Sequence, residues 1–271
     1  MASPKGYAPV SAVDFESFVR ELARVSGEAI LPFFRSAIGV ENKAGMGSFD
    51  PVTEGDRAGE TAMRQLIKMT FPAHGIVGEE YGTDNGDADH VWVLDPIDGT
   101  KAFIAGIPVW GTLIGLARKG NPVFGMMHQP FIREKFWGDG AGARYEGPAG
   151  ARSLHVRPCS ALAEATIMTT SPKLFGADPE TRARYDAVEA KCRTYRYGAD
   201  CYAYCMLAAG HVDLVVEAGL KSYDILPLIP IIEGAGGIVT TWTGGSAAGG
   251  GNIVAAGDKK VHAQALKLLK G

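Results

Sequence analysis

The sequence predicts a mixed α/β protein in which helices and sheets are stacked in layers. Two observations support this fold class. The first half of the chain opens with two amphipathic helical patterns and continues with closely spaced short strands, and the second half alternates strands with helices. The 271 residues suffice for one large domain or for two joined halves with a substantial core.

The N-terminal half begins with helical periodicity. Apolar residues at helical spacing predict a helix over 11–35 and a second helix over 56–69. Gly120-Asn121 is typical of a hairpin turn and separates two of five predicted strands. These strands span 75–77, 91–94, 110–117, 122–128 and 134–137. The stretch 138–150 is rich in glycine, and we predict a loop there.

The C-terminal half alternates between the two periodicities. We predict strands over 165–169, 193–196, 212–217, 238–241 and 252–256, and helices over 178–190, 200–209, 224–234 and 258–269. The predicted helix over 224–234 would carry Pro227 and Pro230 in its interior. We place the boundary between an N-terminal subdomain, 1–150, and a C-terminal subdomain, 151–271, at the predicted loop.

Composition argues against several classes of protein. Hydrophobic residues make up 46% of the chain and charged residues 21%, as expected of an ordinary globular protein. The net charge of −3 gives no support for nucleic-acid binding. The four cysteines form no C-x-x-C pair, which favours a reduced, cytoplasmic setting. There is no apolar signal core or long apolar stretch, so we expect no membrane contact.

Two aspartates follow the apolar run Val-Trp-Val-Leu and are separated by Pro-Ile. Pro96 cannot extend a strand ladder, so we expect the chain to turn and to direct Asp95 and Asp98 toward one point. Gly99 and Thr100 would open the next segment and offer backbone N–H groups to an anion. The alternative is an Asx-type turn with solvated carboxylates.

Three further acidic residues are candidates for the same site. Glu79 follows an apolar strand and Asp224 opens a predicted helix, so the alternatives are an ordinary acidic loop and a helix N-cap. Asp50 is a candidate partner for a catalytic hydroxyl, whereas Thr53 and Asp56 fit helix capping. Oxygen ligands without histidine or cysteine favour Mg²⁺, and a two-metal phosphoester hydrolase is the natural interpretation.

Four motifs, in this order, resemble the inositol monophosphatase family. They are Asp-Pro-Val-Thr-Glu-Gly-Asp at 50–56, Gly-Glu-Glu at 78–80, Trp-Val-Leu-Asp-Pro-Ile-Asp-Gly-Thr at 92–100 and Tyr-Asp-Ile-Leu-Pro at 223–227. The resemblance covers nearly the whole chain. It implies a layered α-β-α-β-α sandwich, a Mg²⁺-dependent phosphomonoester hydrolase and a homodimer.

The resemblance implies ligands for two metal ions. Glu79, Asp95 and the backbone carbonyl of Ile97 match the ligands of the first ion. Asp95, Asp98 and Asp224 match those of the second. A third, more weakly held ion would use Glu79 and water.

The same resemblance implies catalytic and phosphate-binding roles. Thr100, hydrogen-bonded to Asp50, would orient and activate the attacking water together with Glu79. The backbone amides of Gly99 and Thr100 would hold the phosphate. Attack would proceed in line with the departing alcohol.

Substrate choice depends on the residues that would face the alcohol. Inositol-selective members of the family are small and uncharged at the position of Asp200, which in this chain is a carboxylate. Glu217 is a second acidic candidate on the leaving-group side. Two carboxylates would complement a small phosphorylated alcohol that carries an ammonium group, such as histidinol phosphate. The alternative for Asp200 is a helix N-cap.

Three stretches resemble the histidinol-phosphatase branch of the family: Gly-Ala-Asp-Cys-Tyr, Leu-Lys-Ser-Tyr-Asp-Ile-Leu-Pro and Phe-Ile-Ala-Gly-Ile-Pro-Val-Trp. Ser222 departs from that branch, which often has proline there. The expected reaction is hydrolysis of L-histidinol phosphate in histidine biosynthesis. The alternatives are an inositol-1-phosphate or broad-specificity phosphatase, and a catalytically silent regulatory protein on the same fold.

Overall fold

A computed structural model describes residues 15–36, 40–42, 51–176 and 178–270. The α-helices in these ranges are α1 (Phe15–Ile30), α2 (Glu54–Thr70), α3 (Thr100–Ile104), α4 (Pro179–Glu189), α5 (Cys201–Ala208), α6 (Ser222–Ile225), α7 (Ile229–Gly234) and α8 (Lys259–Leu269). The strands of the N-terminal half are β1 (Val40–Asn42), β2 (Pro51–Thr53), β3 (Gly75–Gly78), β4 (Gly82–Asp84), β5 (His90–Asp98), β6 (Gly111–Arg118), β7 (Asn121–Gln129), β8 (Glu134–Gly138), β9 (Ala143–Gly147) and β10 (Gly150–Ser153). Those of the C-terminal half are β11 (Thr166–Thr169), β12 (Thr194–Tyr197), β13 (Leu214–Leu220), β14 (Ile238–Thr241) and β15 (Gly251–Ala256).

Most of these strands belong to two sheets. The first sheet has the strand order β10-β9-β8-β7-β6-β5-β3-β4 and is antiparallel except for the pair β3–β5. The second sheet has the order β12-β11-β13-β15-β14, and β11 runs parallel to both of its neighbours. Strands β1 and β2 form a separate antiparallel pair.

Helices α5 and α7 lie between the two sheets. Their apolar side chains share one core, here called the inner core, with Leu113 and Phe136 of the first sheet and with Val215 and Ile253 of the second. Helices α1 and α2 cover the outer face of the first sheet. Helices α4 and α8 cover the outer face of the second. The layers therefore follow the predicted order α-β-α-β-α.

Strand β13 shows how one apolar run serves two layers. Val215 packs in the inner core, whereas Leu214 and Val216 pack against α4 and α8. Successive residues of a strand point to opposite faces of the sheet. Three consecutive apolar residues therefore bury both faces, which explains why this strand shows no alternation of apolar and polar residues.

The predicted helix over 224–234 is wrong as a single element. Helix α6 is followed by a 3₁₀ turn over Leu226–Leu228 and then by α7. Pro227 and Pro230 lie within the first two positions of the turn and of α7. Proline is tolerated at the start of a helix because the N–H groups there have no helical partner. Each proline therefore starts a new segment.

The predicted loop over 138–150 is also wrong in part, because β9 and β10 extend the first sheet. Ala143 and Tyr145 are buried while Arg144 between them is exposed, which is the period of a half-buried strand. The surrounding glycines hid this short alternation in the sequence. The first sheet continues to Ser153 and the second begins at Thr166, and the division into two subdomains stays a prediction.

The first predicted helix is shorter than expected. Helix α1 ends at Ile30, where a 3₁₀ turn over Leu31–Phe33 begins, and residues 11–14 lie outside the described ranges. Among the helices of the described chain, none combines the length and the apolar character needed to cross a membrane.

Candidate functional site

Strand β5 brings two carboxylates to one place because it contains a bulge. Asp95 is paired with Leu113 of β6 and Asp98 with Gly111, so the two residues between the aspartates lie opposite Thr112 alone. In a regular strand, residues three positions apart point to opposite faces. The additional residue returns Asp98 to the side of Asp95, as the turn at Pro96 predicted.

A third carboxylate comes from the other half of the chain. Oxygen atoms of Asp95, Asp98 and Asp224 all lie within 4.8 Å of one another. Asp224 is the third residue of α6, and its Oδ2 accepts a hydrogen bond from the Lys221 amide at 2.7 Å. Asp224 is therefore not the N-cap considered from the sequence: Lys221 holds that position, Asp224 bonds its amide from inside the helix, and the same side chain reaches the carboxylate group. These three residues are here called the carboxylate cluster.

Backbone amides also hold the two aspartates of β5. The Ile97 amide donates to Oδ1 of Asp95 at 3.0 Å, so the Asx turn considered from the sequence is present, but its carboxylate is buried and not solvated. The Cys201 amide, at the start of α5, donates to Oδ2 of Asp98 at 2.6 Å. The orientation of the cluster is thus set by the protein itself.

Glu79 lies beside the cluster. Its amide donates to the Leu94 carbonyl at 3.2 Å, which continues the pairing of β3 with β5, and its carboxyl group contacts that of Asp95. Glu79 therefore joins the three aspartates, as the motif predicted. The structure thus assembles four of the predicted ligands from both halves of the chain.

Glu60 of α2 is a site residue that the sequence did not reveal. It is fully buried, and its carboxylate accepts hydrogen bonds from the amides of Glu80, at 2.7 Å, and Tyr81, at 3.1 Å. Arg64, one helical turn later, donates to the same carboxylate at 2.7 Å. Glu60 thereby fixes the turn that carries Glu79. The i, i+4 spacing of Glu60 and Arg64 was the available signal, but it is typical of surface pairs.

The electrostatics of the cluster favour a cation. Burial, followed by the charges of Glu79, Asp98 and Asp224, raises the pKa of Asp95 well above its usual range. Burial also raises the pKa of Asp98, with Asp200 and Asp224 as further causes. Buried like charges repel unless a counter-ion neutralises them. A donor set made only of oxygen atoms, at this spacing, fits a hard divalent cation such as Mg²⁺.

The turn after β5 has the form that the sequence suggested. Gly99 has a φ of +88°, in the left-handed region that favours glycine, and α3 begins at Thr100. The Thr100 hydroxyl donates to the Ile97 carbonyl at 3.1 Å. Asp50 lies outside the described residues, so its hydrogen bond to Thr100 stays a prediction.

Asp200 immediately precedes α5 but does not cap it. Its side chain makes no capping hydrogen bond, and its φ of +44° is unusual for a residue other than glycine. The Cα of Gly99 lies against it: a Cβ added there would be 3.2 Å from Cγ and Oδ2 of Asp200. Burial raises the pKa of Asp200, whereas the Thr170 side chain and the charge of Lys101 oppose this shift. The N-cap alternative therefore does not account for this carboxylate.

Glu217 is buried near Asp200, with 1% of its surface exposed. Its carboxylate accepts hydrogen bonds from the Thr169 hydroxyl, at 3.1 Å, and the Thr170 amide, at 2.5 Å. Burial raises the pKa of Glu217 to about 7, with the Thr170 and Thr169 hydrogen bonds opposing this shift. Thr170 contacts both carboxylates, so Glu217 and Asp200 belong to one hydrogen-bonded network.

Thr53 and Asp56 form the predicted cap of α2. The Thr53 hydroxyl accepts a hydrogen bond from the Gly55 amide at 3.1 Å, and the Thr53 amide donates to Oδ2 of Asp56 at 2.7 Å. The reciprocal arrangement is a capping box. It fixes the start of the helix that carries Glu60.

The chain is similar to known proteins over nearly its whole length. A model of the inositol monophosphatase family matches residues 12–270. The chloroplastic bifunctional phosphatase IMPL2 of Arabidopsis thaliana is 43% identical over 99% of this chain and 78% of that protein. A histidinol-phosphatase of Streptomyces coelicolor is 32% identical over 92% of this chain and 94% of that protein. The solved structure of an inositol monophosphatase from Zymomonas mobilis is 40% identical, covers 95% of this chain and 99% of its own, and has a TM-score of 0.83.

Proposed function

The chain belongs to the inositol monophosphatase family and is a phosphatase, and we propose that its substrate is L-histidinol phosphate, hydrolysed to L-histidinol and phosphate in histidine biosynthesis. The observation that carries this proposal is the position of Asp200. Its carboxylate is half-buried and lies against Gly99, at the turn where the phosphate is proposed to bind, and it caps no helix. A carboxylate there complements a cationic group on the alcohol.

We propose Mg²⁺ as the metal, with two ions bound and a third held more weakly. Glu79, Asp95, Asp98 and Asp224, together with the Ile97 carbonyl, would hold the ions. Bound Mg²⁺ would lower the pKa of a coordinated water and stabilise negative charge on the phosphoryl oxygens. The all-oxygen cluster within 4.8 Å supports this assignment.

The residues of the turn would prepare the attacking water. The Thr100 hydroxyl has one proton, which it donates to the Ile97 carbonyl and would donate to Asp50 instead in the predicted arrangement. With the proton donated to either acceptor, the lone pairs of Thr100 Oγ1 remain available to accept a hydrogen bond from water. Glu79 is the proposed base that takes a proton from this water. The water oxygen then forms a bond to phosphorus, the ester P–O bond on the opposite side breaks, and the leaving alcohol oxygen takes up a proton.

Asp200 would bind the ammonium group of histidinol. Its contact with Gly99 holds the cation-binding carboxylate next to the proposed phosphate-binding amides of Gly99 and Thr100. Glu217 would support Asp200 through Thr170 and add negative charge on the same side. The relatives named histidinol-phosphatase support this reading.

A broader inositol-1-phosphate phosphatase is the second candidate. It is favoured by the similarity to a solved inositol monophosphatase at 40% identity. The third candidate, a silent regulatory protein, is disfavoured because the carboxylate cluster is assembled. We further propose that the protein is cytoplasmic and that it forms a homodimer. Light scattering on the purified protein would test the homodimer.

The test compares phosphate release from histidinol phosphate and from inositol-1-phosphate, with Mg²⁺ or with EDTA. For Asp200→Asn, which removes the charge and keeps the shape, we expect KM for histidinol phosphate to rise by about 10- to 100-fold, the cost of losing one hydrogen bond between charged groups. The inositol-1-phosphate KM should stay within about twofold of the wild-type value, because this substrate has no cation to lose. Asp87→Asn, at an exposed carboxylate, is the matched control.

Three results would count against the proposal. Equal changes in KM for both substrates would remove the ammonium-binding role from Asp200. A wild-type preference for inositol-1-phosphate would select the second candidate. An absence of Mg²⁺-dependent phosphate release from either substrate would overturn the metal-dependent reaction.

A further inference from the structure

Tyr204 of α5 carries a buried hydroxyl group without a hydrogen-bond partner among the described residues. The residue is 3% exposed, and its ring packs in the inner core. Leaving such a group unpaired costs about 1–3 kcal/mol, and a phenylalanine would fill the same space without that cost. The hydroxyl therefore calls for a partner other than the described side chains and backbone, such as a bound water or a ligand.

The surroundings of this hydroxyl identify the kind of partner. Side chains on a helix lean toward its N-terminus, so the Tyr204 ring extends toward Cys201, one turn earlier. The Cys201 amide is bonded to Asp98. After burial, which raises the pKa of Tyr204 most, the groups that act on it through space are all acidic: Glu217, Asp98 and Asp224. All of them are acceptors, and the phenol offers a donor.

We propose that Tyr204 is a positioning residue of the metal centre, whose hydroxyl donates a hydrogen bond to the carboxylate cluster, directly or across one water, when a divalent cation is bound. This inference rests on the proposed metal-dependent function. A carboxylate is an acceptor, and a hydrogen bond that it receives from a phenol is of the stronger, charge-assisted kind. Partners outside the ligand shell orient metal ligands, and their loss typically weakens metal binding by about 10- to 100-fold.

Tyr202 provides a matched control on the same helix. Its ring is also buried in the inner core, but its hydroxyl donates to Oε2 of Glu134 at 2.9 Å, and after burial Glu134 raises its pKa most. Tyr202→Phe removes a satisfied hydroxyl that is bonded to Glu134, outside the carboxylate cluster. Tyr204→Phe removes an unsatisfied one on which Asp98 and Asp224 of the cluster act.

The experiment titrates the metal-free proteins with Mn²⁺ alone and follows free Mn²⁺ by electron paramagnetic resonance. For Tyr204→Phe we expect the Mn²⁺ Kd to rise about 10-fold. Its free energy of unfolding in EDTA should match or exceed that of the wild type, because an unpaired buried hydroxyl is lost. Tyr202→Phe should keep the wild-type Kd while losing stability. A structural role alone would move stability and leave the Kd unchanged.

Activity measurements separate the possible failures. In Tyr204→Phe, the Mg²⁺ concentration for half-maximal phosphate release should rise with the Kd, and kcat at saturating Mg²⁺ should stay within about twofold of the wild type, because the ligands themselves remain. A Tyr204→Phe Kd within about twofold of wild type would overturn the inference. Wild-type protein that binds no Mn²⁺ would overturn the inference together with the metal-dependent function. If Mn²⁺ binds with the expected pattern but histidinol phosphate is not hydrolysed, only the substrate assignment fails.

Discussion

Asp95 is the buried member of the carboxylate cluster, and three other acidic residues, Glu79, Asp98 and Asp224, lie close to it. We expect Asp95→Asn to lower turnover by at least about 10³-fold, because it removes a ligand shared by both proposed ions. The metal-free variant should be at least as stable as the wild type, since the substitution relieves repulsion among buried carboxylates. Phosphate release with Mg²⁺ and urea unfolding in EDTA measure the two effects. Near-normal turnover would show that Asp95 is not a ligand.

The residues that could be identified from the sequence share one property. Asp95 and Asp98 lie in a short local motif whose turn is set by Pro96, so their proximity follows from neighbouring residues. Glu60 and Tyr204 act through contacts between elements that are distant along the chain. Nothing local distinguishes Glu60 from a helical surface residue, or Tyr204 from an ordinary core aromatic, so only the folded structure reveals them.

Strand β3 depends on a glycine for the position of the turn that follows it. A Cβ on Gly78 would collide with the carboxylate of Glu60, which holds the amides of Glu80 and Tyr81. We expect Gly78→Ala to displace Glu60, move Glu79 and raise the Mn²⁺ Kd by about 10-fold. Gly142→Ala is the control, because its Cβ would meet no neighbour within 4 Å. Equal Mn²⁺ affinity in the two variants would refute this coupling.

Prediction of whole elements succeeded where the periodicity was long and failed where it was interrupted. Helix α2 and the long strands β6 and β7 were found because many residues repeat one pattern. The segment containing Pro227 and Pro230 has the apolar content of a helix, but the prolines divide it into three pieces. Strand β9 has only five residues between glycine-rich turns, too few for the alternation to stand out.

The inner core joins the two sheets, since residues of both contribute to it. Neither sheet could lose its contacts with α5 and α7 without exposing apolar surface of the other. We therefore expect the chain to unfold as one cooperative unit that includes both proposed subdomains. Protonation of one buried side chain should then change the free energy of unfolding of the whole molecule.

His128 is the group at which this can be tested. It belongs to β7, and its side chain is buried against α1. Burial, aided by the charge of Lys135, lowers its pKa to about 4. The folded state thus binds this proton less tightly than the unfolded state, in which the pKa is about 6.5. The contribution of neutral His128 to the free energy of unfolding is fully present above pH 6.5. It falls by about 3 kcal/mol as the pH drops from 6.5 to 4.

We expect His128→Gln to reduce the slope of unfolding free energy against pH between 6.5 and 4, with urea unfolding as the measurement. Circular dichroism and tryptophan fluorescence should give the same transition, because the unit is cooperative. His211→Gln, at an exposed histidine, should keep the wild-type slope. If His128→Gln also keeps that slope, the ring does not control acid stability.

Because of the bulge in β5, the geometry of the cluster depends on the number of residues between Asp95 and Asp98. Since one unpaired residue turns Asp98 to the side of Asp95, substitutions at Pro96 or Ile97 would leave the count unchanged, whereas deleting either would restore a regular ladder. Asp95 and Asp98 would then be two residues apart and still on one side of the sheet, but the turn would be lost in which the Ile97 amide bonds Asp95 and the Thr100 hydroxyl bonds the Ile97 carbonyl. Variation among descendants of this chain should therefore be tolerated here by exchange of residues but not by insertion or deletion.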